Sequence, residues 1–126
     1  MHERRIFRTE RKGATLVLVP LVNVSSLAAE HVQRELNEIL GLIERREVAS
    51  CVIDFEEIEF FGSEMLAVIQ MIWKRSKNGG GRMAVCGICE LGREVIHVAK
   101  FDLLWPIYDT REEALAAVGD QEPSGA

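Results

Sequence analysis

"VIDFEEIEFFGSEMLAVIQMIWKRSKNGGGRMAV", residues 52–85, reads in succession as strand, acidic link, helix, glycine loop and strand. Its first part extends to "ASCVIDF", residues 49–55, a short continuous apolar run of the kind buried on both faces of a sheet. Residues 64–77 carry apolar side chains at helical spacing and are closed by "KNGGG". "RMAVCG", residues 82–87, is a second strand. A strand returning through a helix to another strand predicts a parallel pair with a right-handed crossover. At about 100° per residue, Met65, Val68, Ile69, Ile72 and Trp73 share the face that should be core. Ala67, Gln70, Lys74 and Lys77 form a narrow stripe opposite. Leu66 and Met71 fall at the borders, where partial exposure is expected.

The same grammar holds on either side. "RRIFRTERKGATLVLVPL" gives two strands turning at Arg11–Gly13, and Pro20 limits how far the second can pair centrally. "SSLAAEHVQRELNEILGLIERRE", residues 25–47, is a helix with Ala28, Val32, Leu36, Ile39, Leu40 and Ile43 on one face. Ser25 or Ser26 is its expected cap, and Arg45 and Arg46 suit its C-terminal end. "ELGREVIHVAKF" predicts a third helix with Leu91, Val95, Ile96 and Val98 inward, and "LWPIYD" a short edge strand that tolerates Pro106. Thr110 and Glu113 have the spacing of a capping box at the start of a last helix. The order β-β-α-β-α-β-α-β-α predicts an α/β fold: a mixed, mostly parallel sheet of four to five strands with about four helices. One domain over residues 1–118 and a mobile polar tail over 119–126 are expected.

Composition agrees. Of 126 residues, 48% are hydrophobic and 28% charged, as in an ordinary globular domain. The net charge of −5 argues against nucleic acid as the main partner. Residues 1–13 are locally basic on an otherwise acidic chain, which fits an edge strand guarded by charge. No apolar run approaches the roughly 18–20 residues that span a bilayer, and "MHERRIFRTERK" lacks the apolar centre of a signal peptide. A cytoplasmic protein is expected, with its three cysteines reduced. The sequence leaves the oligomeric state open.

Three features bear on chemistry. "CGIC" places Cys86 and Cys89 between a strand and a helix, where a helix N-terminus can activate a thiol. Cys51, His2, His31 and His97 stand at no metal-ligand spacing from that pair, so small residues packing at a junction are the simpler account. Asp54, Glu56, Glu57, Glu59 and Glu64 gather near the end of the third strand, where open α/β sheets bind ligands. No nucleophile with its base accompanies them and no phosphate loop follows a strand, so a solvated acidic rim is expected, with no cofactor and no catalysis. Ser63 opens the central helix. It reads first as an N-cap, and alternatively as a modification site whose phosphate would meet free N–H groups beside Glu59 and Glu64.

Residues 52–85, followed by "FDLLWPIYDTREEAL" at 101–115, resemble the STAS domain family: anti-sigma factor antagonists and the related domains of sulfate transporters. Asp54, Gly79–Gly81, Arg82, Trp105, Pro106, Ile107, Asp109 and Glu113 take the family's places. The resemblance puts Ser63 on the position phosphorylated by a serine kinase that is also an anti-sigma factor. Gly62, Glu64 and Met65 replace the usual aspartate, second serine or threonine, and glycine, and Asn23 stands about where many members have another aspartate. The resemblance implies a non-enzymatic regulator that binds its kinase or anti-sigma factor through Gly62, Ser63, Glu64, Leu66, Ala67, Gln70, Met71 and Lys74. The alternative is an accessory subunit, a sensory-complex scaffold or the soluble part of a lipid transporter, in which Ser63 is only a cap.

Overall fold

The computed structural model describes residues 5–119. The elements run β1 (Phe7–Lys12), β2 (Thr15–Pro20), α1 (Glu30–Glu44), β3 (Ser50–Asp54), α2 (Ser63–Asn78), β4 (Met83–Cys86), α3 (Glu90–Val98), a 3-10 turn (Phe101–Leu103), β5 (Ile107–Tyr108) and α4 (Arg111–Gly119). The expected mobile tail falls, beyond Gly119, outside the described residues.

The strands form one sheet in chain order, β1 to β5. The β1–β2 pair is antiparallel and the rest parallel. Gly13, at φ 62°, makes the β1–β2 turn that disfavours other residues. Pairing of β2 with β3 stops at Leu18, two residues before Pro20. All five residues of β3 are buried, as its unbroken apolar run requires. One face of the sheet, with Leu16, Leu18, Cys51, Ile53, Met83 and Val85, packs in the larger core with residues of α1, α2 and α3. The other, with Val17, Val19, Val52, Ala84 and Cys86, packs against Ala114 and Val118 of α4.

The glycine loop after α2 has a steric cause. A Cβ on Gly81 would sit 1.6 Å from the Ala49 carbonyl oxygen, so any larger residue would push β3 and β4 apart where they begin. The capping box forms: Glu113 N–H donates to Thr110 Oγ1 at 3.1 Å, and Thr110 N–H donates to Glu113 Oε1 at 3.3 Å.

Several local expectations are corrected. Helix α1 begins at Glu30 behind Ala29, which makes no side-chain cap. Neither Ser25 nor Ser26 caps it; Ser26 Oγ accepts from Ala28 N–H at 3.2 Å and shapes the loop instead, leaving Ala28 exposed. In α3, Leu91 and Val98 face outward at 62% and 74% exposure. The helix packs through Gly92, where a Cβ would meet Ile88 at 2.6 Å and Phe61 at 3.0 Å, and through Ile96. That close approach turns the Leu91–Val98 edge to solvent. Leu66 is buried at 6% and belongs to the core, while Met71 is 40% exposed as expected. The buried arc of α2 thus extends past the border on one side only, toward Leu66. Trp73 packs against the core but is only half-buried.

Candidate functional site

The first turn of α2 and its surroundings hold the residues the sequence singled out. Gly62, in extended conformation, is the N-cap, and its carbonyl accepts from Leu66 N–H at 3.2 Å. Ser63 is the first helical residue and not the cap. Its side chain is exposed, and among the described residues it holds no hydrogen-bond partner.

Two contacts brace this corner. Asn23 Oδ1 accepts from Gly62 N–H at 3.1 Å, and Glu64 Oε1 accepts from Leu27 N–H at 3.0 Å. The β2–α1 loop is therefore tied to both sides of Ser63 through backbone donors. The Asn23 amide neutralises an N–H without bringing a charge. Glu64, read as part of a solvated rim, is committed to the Leu27 N–H.

From this corner a surface stripe runs along α2. Ser63, Met71 and Lys74 are exposed, and Ala67 and Gln70 are half-buried. The structure brings these together with half-buried Gly62 and Glu64. Leu66 is turned under them into the core, because its position on the helix faces the sheet side. Phe60, just ahead of the helix, is 67% exposed.

The acidic cluster divides: Glu56, Glu57 and Glu59 are exposed, as expected of a solvated rim, whereas the expectation fails for Asp54. Asp54 is buried, with Oδ1 accepting from Glu56 N–H at 3.0 Å and Oδ2 accepting from Arg111 Nε at 2.8 Å. Arg111 also reaches Glu10 at 2.9 Å and Glu56 at 3.2 Å. Arg8 lies 3.5 Å from Glu56 and 3.9 Å from Glu57. Asp54, Glu56 and Glu57, with Glu10 of β1, thus form a charge network around Arg111 and Arg8 that fastens α4 to the end of the sheet. Asp54 holds the Arg111 guanidinium even more firmly protonated than usual, through their hydrogen bond. The sequence reading missed Arg111. A signal was present, because a cation in the first turn of a helix opposes its dipole and calls for a local carboxylate.

The thiols sit in unlike environments. Cys86 is fully buried on β4; burial, with Asp54 beside it, pushes its thiol up to about 12. Cys51, also buried, is pushed up to about 11 by desolvation. Cys89 is the N-cap residue of α3 without a side-chain cap, and its Sγ donates to the Glu59 carbonyl at 3.4 Å. All three cysteines are free. Among the described residues no group of three or more His, Cys, Asp or Glu side chains could hold a metal ion. None of the described helices is long and apolar enough to cross a membrane. His97 Nδ1 is 2.7 Å from Asp102 at the surface, and His31 is half-buried in α1.

Comparison with known proteins places this geometry. BtrV of Bordetella bronchiseptica, named as a candidate anti-sigma factor antagonist, is 29% identical over 94 residues, covering 75% of this chain and 78% of BtrV. An anti-sigma-factor antagonist (STAS) domain protein from Planctomyces limnophilus superposes with a TM-score of 0.71 at 25% identity, over 90% of this chain and 97% of that one. The Bacillus cell fate determinant SpoIIAA in its phosphorylated form has the same fold, with a TM-score of 0.68 at 18% identity over 89% and 98% of the two chains. The profile of the STAS domain matches residues 7–114. By that match, supported by the five-stranded mixed sheet and its four helices, the chain belongs to the STAS domain family.

Proposed function

We propose that this protein is a non-enzymatic, cytoplasmic regulator of the anti-sigma factor antagonist type. It docks a serine kinase that doubles as an anti-sigma factor, through the N-terminal turn and outer stripe of α2, and Ser63 is its phosphoacceptor. The observation that carries the reading is the state of Ser63: an exposed hydroxyl, free of hydrogen bonds among the described residues, at the N-terminus of a 16-residue helix. A phosphate there meets unpaired N–H groups and the positive end of the helix dipole. It also places roughly −1.5 to −2 charges beside a docking stripe that includes Met71. The similarity to BtrV and to STAS proteins named as anti-sigma factor antagonists supports the choice of partner class. The existence of a phosphorylated form of SpoIIAA, a protein of this fold, supports the modification.

The accessory-subunit reading draws on a specific observation too. The residue holding the Gly62 N–H is neutral Asn23, and Glu64 is already bound to Leu27 N–H, so the turn carries no free carboxylate to help a kinase position Ser63. The deciding experiment is affinity capture from native cells followed by mass spectrometry of Ser63. Recovery of a serine kinase with phosphate on Ser63 upholds the first reading. Recovery of transporter or scaffold subunits, with Ser63 unmodified, replaces it with the second.

A further inference from the structure

A cavity of about 300 Å³ opens where β5 stops short of covering β4. Its origin is covalent. Val85 N–H donates to the Pro106 carbonyl at 2.9 Å, and the next rung of a parallel ladder would need an N–H from residue 106. Proline has none, so pairing between β4 and β5 is confined to Val85–Ile107 and Cys86–Tyr108. Met83 and Ala84 are left without a neighbouring strand on that edge. Trp73 of α2, Met83, Leu104 and Tyr108 line the gap.

The charge at its mouth is unusual for this chain. Lys77 and Arg82 line the cavity and none of the lining residues is acidic, although acidic residues outnumber basic ones 20 to 15 in the sequence. Lys77 Nζ stands over the Trp73 ring, 4.9 Å from its centroid. Among the described residues neither cation is in an ion pair. The Arg8–Arg111 cluster at the other end of the sheet differs: its cations are already matched by Asp54, Glu10, Glu56 and Glu57. The last turns of α2 supply Trp73 and Lys77 to the lining, and a helix C-terminus by itself repels anions, so any anion recognition rests on Lys77 and Arg82.

We propose that this cavity binds a small organic anion with a flat apolar body, of the aryl carboxylate class. The body packs against Trp73 and Tyr108, and the carboxylate meets Arg82 and Lys77 at the mouth. The volume is at the small end of the roughly 300–1,000 Å³ of ligand pockets, which selects one or two fused rings over a nucleotide. The site lies at the opposite end of α2 from Ser63 and is independent of the function proposed above.

The test is amide and indole NMR titration of the full chain with 2-naphthoate, and in parallel with neutral 2-naphthamide. Saturable shifts at Trp73 Nε1–H, Met83 and Ala84, with the amide binding roughly tenfold more weakly, are expected. Lys77→Gln and Arg82→Gln should each weaken naphthoate binding about two- to fivefold, as an exposed charge pair contributes, with unchanged thermal unfolding. Equal binding of acid and amide overturns the anion assignment. Absence of saturable shifts at millimolar ligand, or shifts confined to the Leu91–Val98 face of α3, overturns the site.

Discussion

Arg111 Nε lies 2.8 Å from Asp54 Oδ2 across 57 positions of chain, joining the first turn of α4 to the buried end of β3. The Asp54 side chain is 3% exposed and that of Arg111 21%. A carboxylate this deep is tolerated because both of its oxygens are bonded, one to Glu56 N–H and one to the guanidinium. Gly87, at φ 70°, lets the chain pass, since a Cβ there would come within 2.6 Å of Asp54 Oδ1.

Removing one partner should therefore cost more than removing both. Arg111→Met leaves Asp54 charged and buried, and should destabilise by about 3 kcal/mol, the low end for a broken buried pair because Arg111 is partly solvated. Asp54→Asn keeps the acceptor for Glu56 N–H and should cost less. Combined with Arg111→Met, its cost should fall below the sum of the two singles, as expected for coupled neighbours. Urea unfolding of the four proteins measures this; strict additivity would show that the pair is not coupled.

Met71 and Leu66 separate contact surface from core on one helix. Met71→Glu should change stability by no more than about 0.5 kcal/mol, as surface substitutions do. It should still weaken capture of the partner. Leu66→Ala should cost about 2–5 kcal/mol, the range for a large-to-small core change. Thermal unfolding and pull-down together check both, and a large drop in melting temperature for Met71→Glu would put Met71 in the core.

The order of elements was legible because each has its own period and punctuation. Cys51–Ile53 is an unbroken apolar run, Gly79–Gly81 ends α2, and Thr110 and Glu113 cap α4. What escaped the sequence depends on tertiary approach. Gly92 settles how α3 rolls against Phe61, and no helical wheel contains that contact. Asn23 and Gly62 are 39 residues apart, so their hydrogen bond has no local signature. Asp54 read as part of a solvated rim because Arg111, its partner, comes from the far end of the chain. At the candidate site the exposed stripe was legible, Met71 included, while the placement of Leu66 failed because the buried arc is wider than symmetric borders allow.

The buried thiols make a pH prediction. Folding raises Cys51 from 9.0 to about 11 and Cys86 from 9.0 to about 12. The unfolded chain gives up these protons first as pH rises. Their contribution to stability is therefore complete below pH about 9 and is lost progressively between about 9 and 11–12. Between pH 8 and about 10, the urea midpoint of wild type should fall more steeply than that of the Cys51→Ala/Cys86→Ala variant. Under native conditions a thiol reagent should label half-buried Cys89 before the other two. Parallel pH profiles for the two proteins would remove the thiols from the account. Cys86→Ala/Cys89→Ala should leave partner capture unchanged; loss of a disulfide reductase activity present in wild type would return the pair to chemistry.

Ser63 yields the sharpest discrimination, because its position separates stability from signalling. As the first helical residue behind the Gly62 cap, with no hydrogen bond among the described residues, it contributes little to the fold. Ser63→Ala should thus stay within about 0.5 kcal/mol of wild type, where loss of a true N-cap would cost about 0.5–2 kcal/mol. Ser63→Asp adds a negative charge in the first turn, which the helix dipole favours by about 0.3–1 kcal/mol. It should be as stable as wild type or slightly more so. If Ser63 is the phosphoacceptor, Ser63→Asp should bind the kinase partner more weakly, while Ser63→Ala binds as wild type does and takes up no phosphate. Calorimetric unfolding, partner titration and phosphate incorporation on the three proteins give the answer. Full partner binding by Ser63→Asp, together with no phosphate on wild type after incubation with the captured kinase, would end the switch reading and leave the accessory-subunit reading in its place.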